Sequence, residues 1–261
     1  MRNFYIVTNE QKDRDYILTN QIKEKLKQLG AVIFEEQTAD IECVISIGGD
    51  GTLIQAVREL SWLDVAFVGV NRGTTGFLTE IEPDSVDTML PRLVKDDFVI
   101  ENRMMLKATL ENGEEKLALN DVVLSKAGAM TVAEYQIHVN GSPLTTYRAD
   151  GVLVSTPTGS TGYNLSAGGP IVEPNSKVMT LTPICAHTLN CHSVILNGDD
   201  EICISPIWNP MKGQVAVAFD GECYKTLEEG ETIRVTAAKE QTKIIRLGQE
   251  SFVTVLSRKL N

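Results

Sequence analysis

Two runs, Cys43-Val44-Ile45-Ser46-Ile47 and Ala66-Phe67-Val68-Gly69-Val70, are apolar or small at every position, with no polar alternation. A strand without alternation has to be covered on both faces, which is the habit of parallel sheets wrapped by helices. The intervening segments carry the matching signal. Residues 13–29 place Leu18, Ile22, Leu26 and Leu29 at helical spacing, with Gly30 as the stop. Residues 52–60 read as a second helix and 85–93 as a third, with Val86, Met89, Leu90 and Leu93 on one face against the opposing signal of Pro91. Residues 3–8 and 31–34 supply further strands. The expected N-terminal domain, residues 1–98, is α/β with a parallel sheet.

From Val99 the pattern changes. Asn140-Gly141, Asn197-Gly198-Asp199 and Asp220-Gly221 suit tight hairpin turns, as does Glu111-Asn112-Gly113. Between and beside them, residues 136–139, 151–155, 178–182, 193–196, 201–205, 214–219 and 232–236 read as strands. Residues 99–261 are therefore expected to form a β-rich, sandwich-like domain, with a closing helix from Phe252 on that packs back on the first domain.

Charge and cysteine usage narrow the function. Lys and Arg number 24 against 35 Asp and Glu, a net charge of −11, and no basic stripe offers itself to a nucleic acid. An anionic ligand would need a site built locally from backbone N–H groups, a few cations and metal. The longest apolar stretch, 65–70, is far too short for a membrane helix, and the first seven residues are too quickly polar for a signal peptide. Five cysteines with no Cys-x-x-Cys pair fit free thiols in a reducing compartment, hence a cytoplasmic protein. Cys185, His187, Cys191 and His192 are close in sequence but fit no common zinc spacing.

Gly48-Gly49-Asp50-Gly51-Thr52 lies between a buried strand and a helix start, where open α/β sheets place ligands and helix N-termini offer N–H groups to phosphate. It is neither a P-loop, lacking Gly-Lys-Ser/Thr, nor a dinucleotide fingerprint, lacking the third glycine. A carboxylate here repels phosphate unless it meets Mg²⁺ or a hydroxyl, and both roles belong to phosphoryl transfer. The plainer alternative is an Asp that caps the helix. The second cluster runs from Asp150 to Gly169 and is dense in hydroxyls and glycines, with one aromatic, Tyr163, and no Lys or Glu. Such a loop reads as a neutral binding surface for ribose and base. Asn120-Asp121 is a polar pair in an apolar run, either part of the site or a bulge or strand end.

Gly48-Gly49-Asp50-Gly51-Thr52, Asn71-Arg72-Gly73 with Gly76-Phe77-Leu78, Asn120-Asp121, Arg148-Ala149-Asp150-Gly151 and the stretch from Ser155 to Ser166 resemble the NAD kinase family in order and spacing. The similarity continues through Leu181-Thr182-Pro183 and Phe219-Asp220-Gly221. The resemblance implies an enzyme that moves a phosphoryl group from ATP to the 2′-hydroxyl of the adenosine ribose of NAD, with Mg²⁺ or another divalent metal. Asp50 would act as general base, metal ligand or both. Asp50 and Gly51 would face the reacting ribose and phosphates, Phe77 would belong to the nucleotide-binding set, and Asn120 and Asp121 would bond the nucleotide. Thr158, Thr161, Gly162, Tyr163, Asn164, Leu165 and Ser166 would cradle adenosine, with NAD between the domains. The family's dimers or tetramers imply a homo-oligomer in which Arg148, Asp150 and Cys185 help complete a site across subunits. Two positions depart from the family pattern: Asp121 stands where many relatives have Glu, shortening its reach, and Cys185 where some have Ala. The ATP site is unmarked except by the Arg72 loop, 71–76. A lipid or sugar kinase is the nearest rival, and a non-catalytic nucleotide sensor the more distant one. The hydroxyl-rich loop speaks against the first and the retained acid Asp50 against the second.

Overall fold

The computed structural model describes residues 1–73, 76–128, 132–187, 191–207, 214–248 and 251–260. The chain begins β1 (Asn3–Thr8), α1 (Ile17–Gln28), β2 (Val32–Phe34), β3 (Cys43–Gly48), α2 (Asp50–Leu60), β4 (Ala66–Asn71), β5 (Thr79–Ile81), α3 (Val86–Val94), β6 (Val99–Thr109). Strands β2, β1, β3 and β4 lie side by side in that order, all parallel, and β5 adds in parallel to β4. Every residue of β3 and β4 is buried, as their unbroken apolar runs require. Ile22 and Leu26 of α1 and Leu90 and Leu93 of α3 share one core with Cys43, Ile45 and Ile47. Helix α2 packs on β3 and β4 and buries Leu53, Ala56, Val57 and Leu60 outside that core, so both sheet faces are covered.

Two local details depart from the periodic reading. Helix α1 starts at Ile17 because Asp15 and Tyr16 adopt left-handed backbone, φ 58° and 53°. The buried Asp13 carboxylate then accepts the N–H groups of Leu18 (3.1 Å) and Thr19 (2.9 Å), satisfying first-turn donors from outside the helix. Helix α3 keeps Pro91 inside it; one backbone hydrogen bond is forfeited, and full burial of Val86, Leu90 and Leu93 offsets it.

The chain continues with β7 (Glu115–Ala118), β8 (Asp121–Ala127), β9 (Ala133–Val139), β10 (Ser142–Ala149), β11 (Gly151–Ser155), α4 (Tyr163–Ser166), β12 (Val178–Ile184). Then come β13 (Val194–Asn197), β14 (Ile202–Pro206), β15 (Gln214–Phe219), β16 (Glu222–Thr226), β17 (Ile233–Arg246) and α5 (Phe252–Leu260). The chain divides into two units, Met1–Arg103 with Thr242–Asn261, and Met104–Gln241. In the second unit an antiparallel sheet of order β13-β12-β11-β8-β15-β16 shares a core with antiparallel β10, β9, β14 and the start of β17. Val122, Leu124, Val152, Val154 and Val217 on one sheet meet Tyr135, Ile137, Ile204 and Val235 on the other, which makes the unit a sandwich. In the first unit, Lys243 and Ile244 of β17 pair in parallel with Ala66 and Phe67. Among the described residues no helix is long and apolar enough to cross a membrane.

The sequence reading marks the turns at Asn140-Gly141 and Asp220-Gly221 but not the strands that return from them. Strands β10 and β16 sit at sheet edges with mostly exposed residues, so neither alternation nor apolar content announces them.

Candidate functional site

Gly48 ends β3 opposite Asn71 at the end of β4, so the Gly-Gly-Asp-Gly turn stands at the carboxyl edge of the parallel sheet. Asp50 does not cap α2; the N-cap is Gly49, and no side chain bonds there. The Asp50 carboxylate instead accepts three consecutive backbone N–H groups: Phe77 on Oδ2 (2.6 Å), and Leu78 and Thr79 on Oδ1 (3.1 Å each). A carboxylate offers about four acceptor directions, so among the described residues one is left, on Oδ2. Gly76 is a steric necessity, since a Cβ there would fall 1.7 Å from Asp50 Oδ1. Gly51 is different: its φ is not positive, and a Cβ would meet nothing within 4 Å.

Sequence reasoning misses Lys12. Its Nζ lies 2.7 Å from where a Gly49 Cβ would be and 3.3 Å from that of Gly73, so the ammonium rests on two glycine backbones at the same edge. The signal that could have found it is the placement of Lys12 just after β1, whose end lies at that edge. Arg72 is exposed nearby, while Asn71 is buried, bonded to Glu82 through Nδ2 (3.0 and 3.1 Å), with its Oδ1 unpartnered among the described residues. Thr74 and Thr75 of the same candidate loop lie outside the described residues.

In the second unit, β8 and β11 pair Asp121 with Ser155, which brings Asn120 against the start of the hydroxyl-rich loop. The Asn120 carbonyl accepts Thr156 N–H (2.9 Å) and Ser155 Oγ–H (3.2 Å). Asp220, in the left-handed turn position (φ 48°), accepts the N–H groups of Leu119 (2.8 Å), Asn120 (2.7 Å) and Asp121 (3.1 Å), fixing the Asn-Asp corner from behind. The buried Thr158 Oγ1 and Asn120 Oδ1 have no protein partner among the described residues, which leaves them for a ligand or water.

The loop divides into an inner and an outer set. Asn164 is fully buried; its Nδ2 donates to Ser160 O (3.2 Å) and Pro170 O (2.9 Å), and its Oδ1 accepts Thr182 Oγ1–H (2.7 Å). Its amide is spent inside the protein. Tyr163, Leu165 and Ser166 are exposed, and Thr161 and Gly162 are half-buried. The Tyr163 phenol is raised above its ordinary value by the part of it that is buried and then by Cys185, Asp121 and Asp150. Asp150 bonds Lys126 (2.7 Å) and lies 3.7 Å from His187; the Lys126 bond holds its carboxyl below the usual range. Arg148 is exposed beside Glu134 (3.6 Å), and Cys185 is exposed at φ 47°.

Burial, and then the neighbouring Asp220, push Asp121 up to about 7. A carboxyl raised in the folded state holds its proton more tightly there than in the unfolded chain, so its contribution to stability falls as pH rises from about 4 through 7. Asp121→Asn carries no titrating proton. Its melting temperature should improve relative to the parent between pH 5 and pH 8 and change no further above that. A difference independent of pH in paired thermal melts would remove Asp121 as the titrating group.

Among the described residues no three His, Cys, Asp or Glu side chains converge to hold a metal ion. With three of its acceptor directions already occupied, Asp50 does not supply a cage by itself.

Residues 2–98 match the family described as ATP-NAD kinase N-terminal domain and residues 119–247 its C-terminal domain. An NAD kinase of Lachnospira eligens is 41% identical over 293 residues, covering 100% of both chains. That of Agathobacter rectalis is 37% identical, covering 100% of this chain and 99% of its own. A yeast NADH kinase complexed with NADH superposes with a TM-score of 0.89 at 21% identity, covering 100% of this chain and 87% of that one. An Archaeoglobus fulgidus NAD kinase in complex with ATP gives 0.81 at 24%, covering 100% and 98%. At such identities the two structures speak for the fold. With both domains matched and full-length relatives this similar, the chain belongs to the ATP-NAD kinase family.

Proposed function

We propose that this protein transfers the terminal phosphoryl group of ATP to the 2′-hydroxyl of the adenosine ribose of NAD, giving NADP and ADP. The observation that carries the reading, in a chain of this family, is Asp50: a carboxylate held by three backbone N–H groups, with one acceptor direction left free by the described residues, at the carboxyl edge of the sheet. That direction suits a ribose hydroxyl. The carboxylate orients it and takes its proton late, as the ribose oxygen–phosphorus bond forms and the bond to the ADP oxygen breaks. Lys12, Arg72 and the amides at the start of α2 bind the donor phosphates, whose charge a divalent ion would help to neutralise when bound. Tyr163, Ser166 and Thr161 hold adenosine through neutral groups, with Asn120 and Asp121 beside them. Arg148, Asp150 and Cys185 serve a site completed by a second copy in a homo-oligomer. Thiols outside any disulfide at Cys43, Cys185, Cys203 and Cys223 support a cytoplasmic setting.

The test is direct: purified protein with ATP, Mg²⁺ and NAD should form NADP, and absence of NADP would end the reading. In the same assay Tyr163→Ala should weaken apparent NAD affinity by about 1–3 kcal/mol and leave ATP nearly unchanged. A fall in ATP affinity alone would reverse the two sites.

Gly51 gives an independent check. Early in a helix Gly is disfavoured against Ala by up to about 1 kcal/mol, and among the described residues no steric contact requires it. Gly51→Ala should therefore keep or raise the melting temperature while lowering kcat/KM at least about tenfold, because the added methyl meets substrate. An alanine variant with full activity would show that no substrate approaches Gly51.

A further inference from the structure

We infer that Arg246, at the end of β17, is a positioning residue for Asp50, acting through the Phe77–Leu78 peptide group. The Arg246 Nη2 donates to the Phe77 carbonyl (3.2 Å). The N–H of the same peptide group, that of Leu78, donates to Asp50 Oδ1 (3.1 Å). A peptide group is planar and trans, so its C=O and N–H point in opposite directions. Holding the oxygen from one side fixes the line along which the N–H meets the carboxylate on the other. A cation on the carbonyl also polarises the amide and strengthens its N–H as a donor.

The guanidinium is itself immobilised. Its Nη1 donates to Glu80 Oε2 (3.0 Å) and its Nε to Glu101 Oε2 (3.0 Å). Glu101 is shared with Arg103. Glu80 accepts the N–H groups of Leu247 (2.8 Å) and Gly248. Arg246 and Glu80 are largely buried, so a lost partner is not replaced by water at little cost. The Phe77 ring is held by the same end of the chain: Phe252 of α5 packs at 6.3 Å between ring centroids, and Lys259 Nζ sits 4.5 Å above it. Strand β5 has only three residues, so its own ladder gives Phe77 and Leu78 little order. Arg246 supplies what β5 does not.

This inference rests on the role proposed for Asp50, and a double-mutant cycle separates the two. Arg246→Lys keeps the charge but loses the planar fork that reaches both glutamates and the carbonyl. It should lower kcat about tenfold or more, with KM for NAD and ATP moving less than about threefold. In an Asp50→Asn background the same change should cost less than about twofold of the residual turnover, because the carboxylate it positions is already gone. Equal losses in both backgrounds would make Arg246 merely structural and overturn the inference, as would an Arg246→Lys variant with unchanged kcat. Near-normal turnover in Asp50→Asn alone would instead remove the Asp50 reading, and this one with it. Should Arg246→Lys fail to fold, Glu101→Gln takes its place. It leaves the bonds to Phe77 and Glu80 standing, so a weaker non-additive loss supports the inference and an additive one overturns it.

Discussion

Asp50→Asn should lower turnover on the order of a hundredfold or more while leaving apparent NAD affinity nearly unchanged. The reason has two parts. The amide cannot accept the ribose proton. It also faces a wall of donors: with its NH₂ at the Oδ2 position it opposes Phe77 N–H, and at the Oδ1 position it opposes Leu78 and Thr79 N–H. At least one backbone donor is left unpaired, at about 1–3 kcal/mol, so the variant should also melt lower. Adenosine recognition is assigned to the Tyr163 loop and should be spared. Steady-state kinetics with varied NAD and a thermal melt read both effects. Turnover near that of the parent would take Asp50 out of the chemistry.

Gly159→Ala should strongly destabilise the second unit. A Cβ at Gly159 would lie 2.2 Å from the Asn120 carbonyl oxygen, 2.6 Å from its carbon and 2.7 Å from its Cα. These are backbone atoms, and that carbonyl already accepts Thr156 N–H and Ser155 Oγ–H, so it has nowhere to retreat. Relief requires lifting the loop from β8, at about 1–3 kcal/mol or more. Apparent NAD affinity should fall with it, because Asn120 and the Thr161–Ser166 surface move apart. Gly162→Ala is the control: its Cβ would approach Gly159 O at 3.3 Å and Asn120 Nδ2 at 3.4 Å, contacts that a slight shift accommodates. If the two variants melt alike, close packing of Gly159 on Asn120 is not what seats the loop.

Much of this architecture is written in short stretches of chain. Whether a strand is covered on one face or two is stated by consecutive residues, so β3 and β4 announce a parallel sheet with helices on both sides. The Asn-Gly and Asp-Gly pairs do the same for hairpins: Asn140 and Asp220 adopt φ 50° and 48°, each followed by a left-handed glycine. The motifs around Asp50 and Tyr163 likewise point to a neutral, hydroxyl-rich nucleotide loop and a lone acid in a glycine turn before any coordinate is known.

What local pattern cannot carry is the partner of a side chain. The same loop holds Asn164, wholly engaged within the protein, and Ser166, exposed, and nothing in their sequence context separates them. Whether Asp50 caps its own helix or is held by amides 27 to 29 residues away is decided when β5 is laid beside β4. Arg246 reaches Phe77 across 169 residues, and Lys12 comes to rest on Gly49 only because β1 and β3 are neighbours in the sheet. Periodicity records burial, a property each residue has against an average interior. Hydrogen bonds and ion pairs are directional and made between particular atoms, so they exist only once distant segments are brought to about 3 Å of each other. The sequence determined the layers and the chemical type of the site; tertiary structure alone decided which acceptor direction of Asp50 remains open, and what holds the rest of it in place.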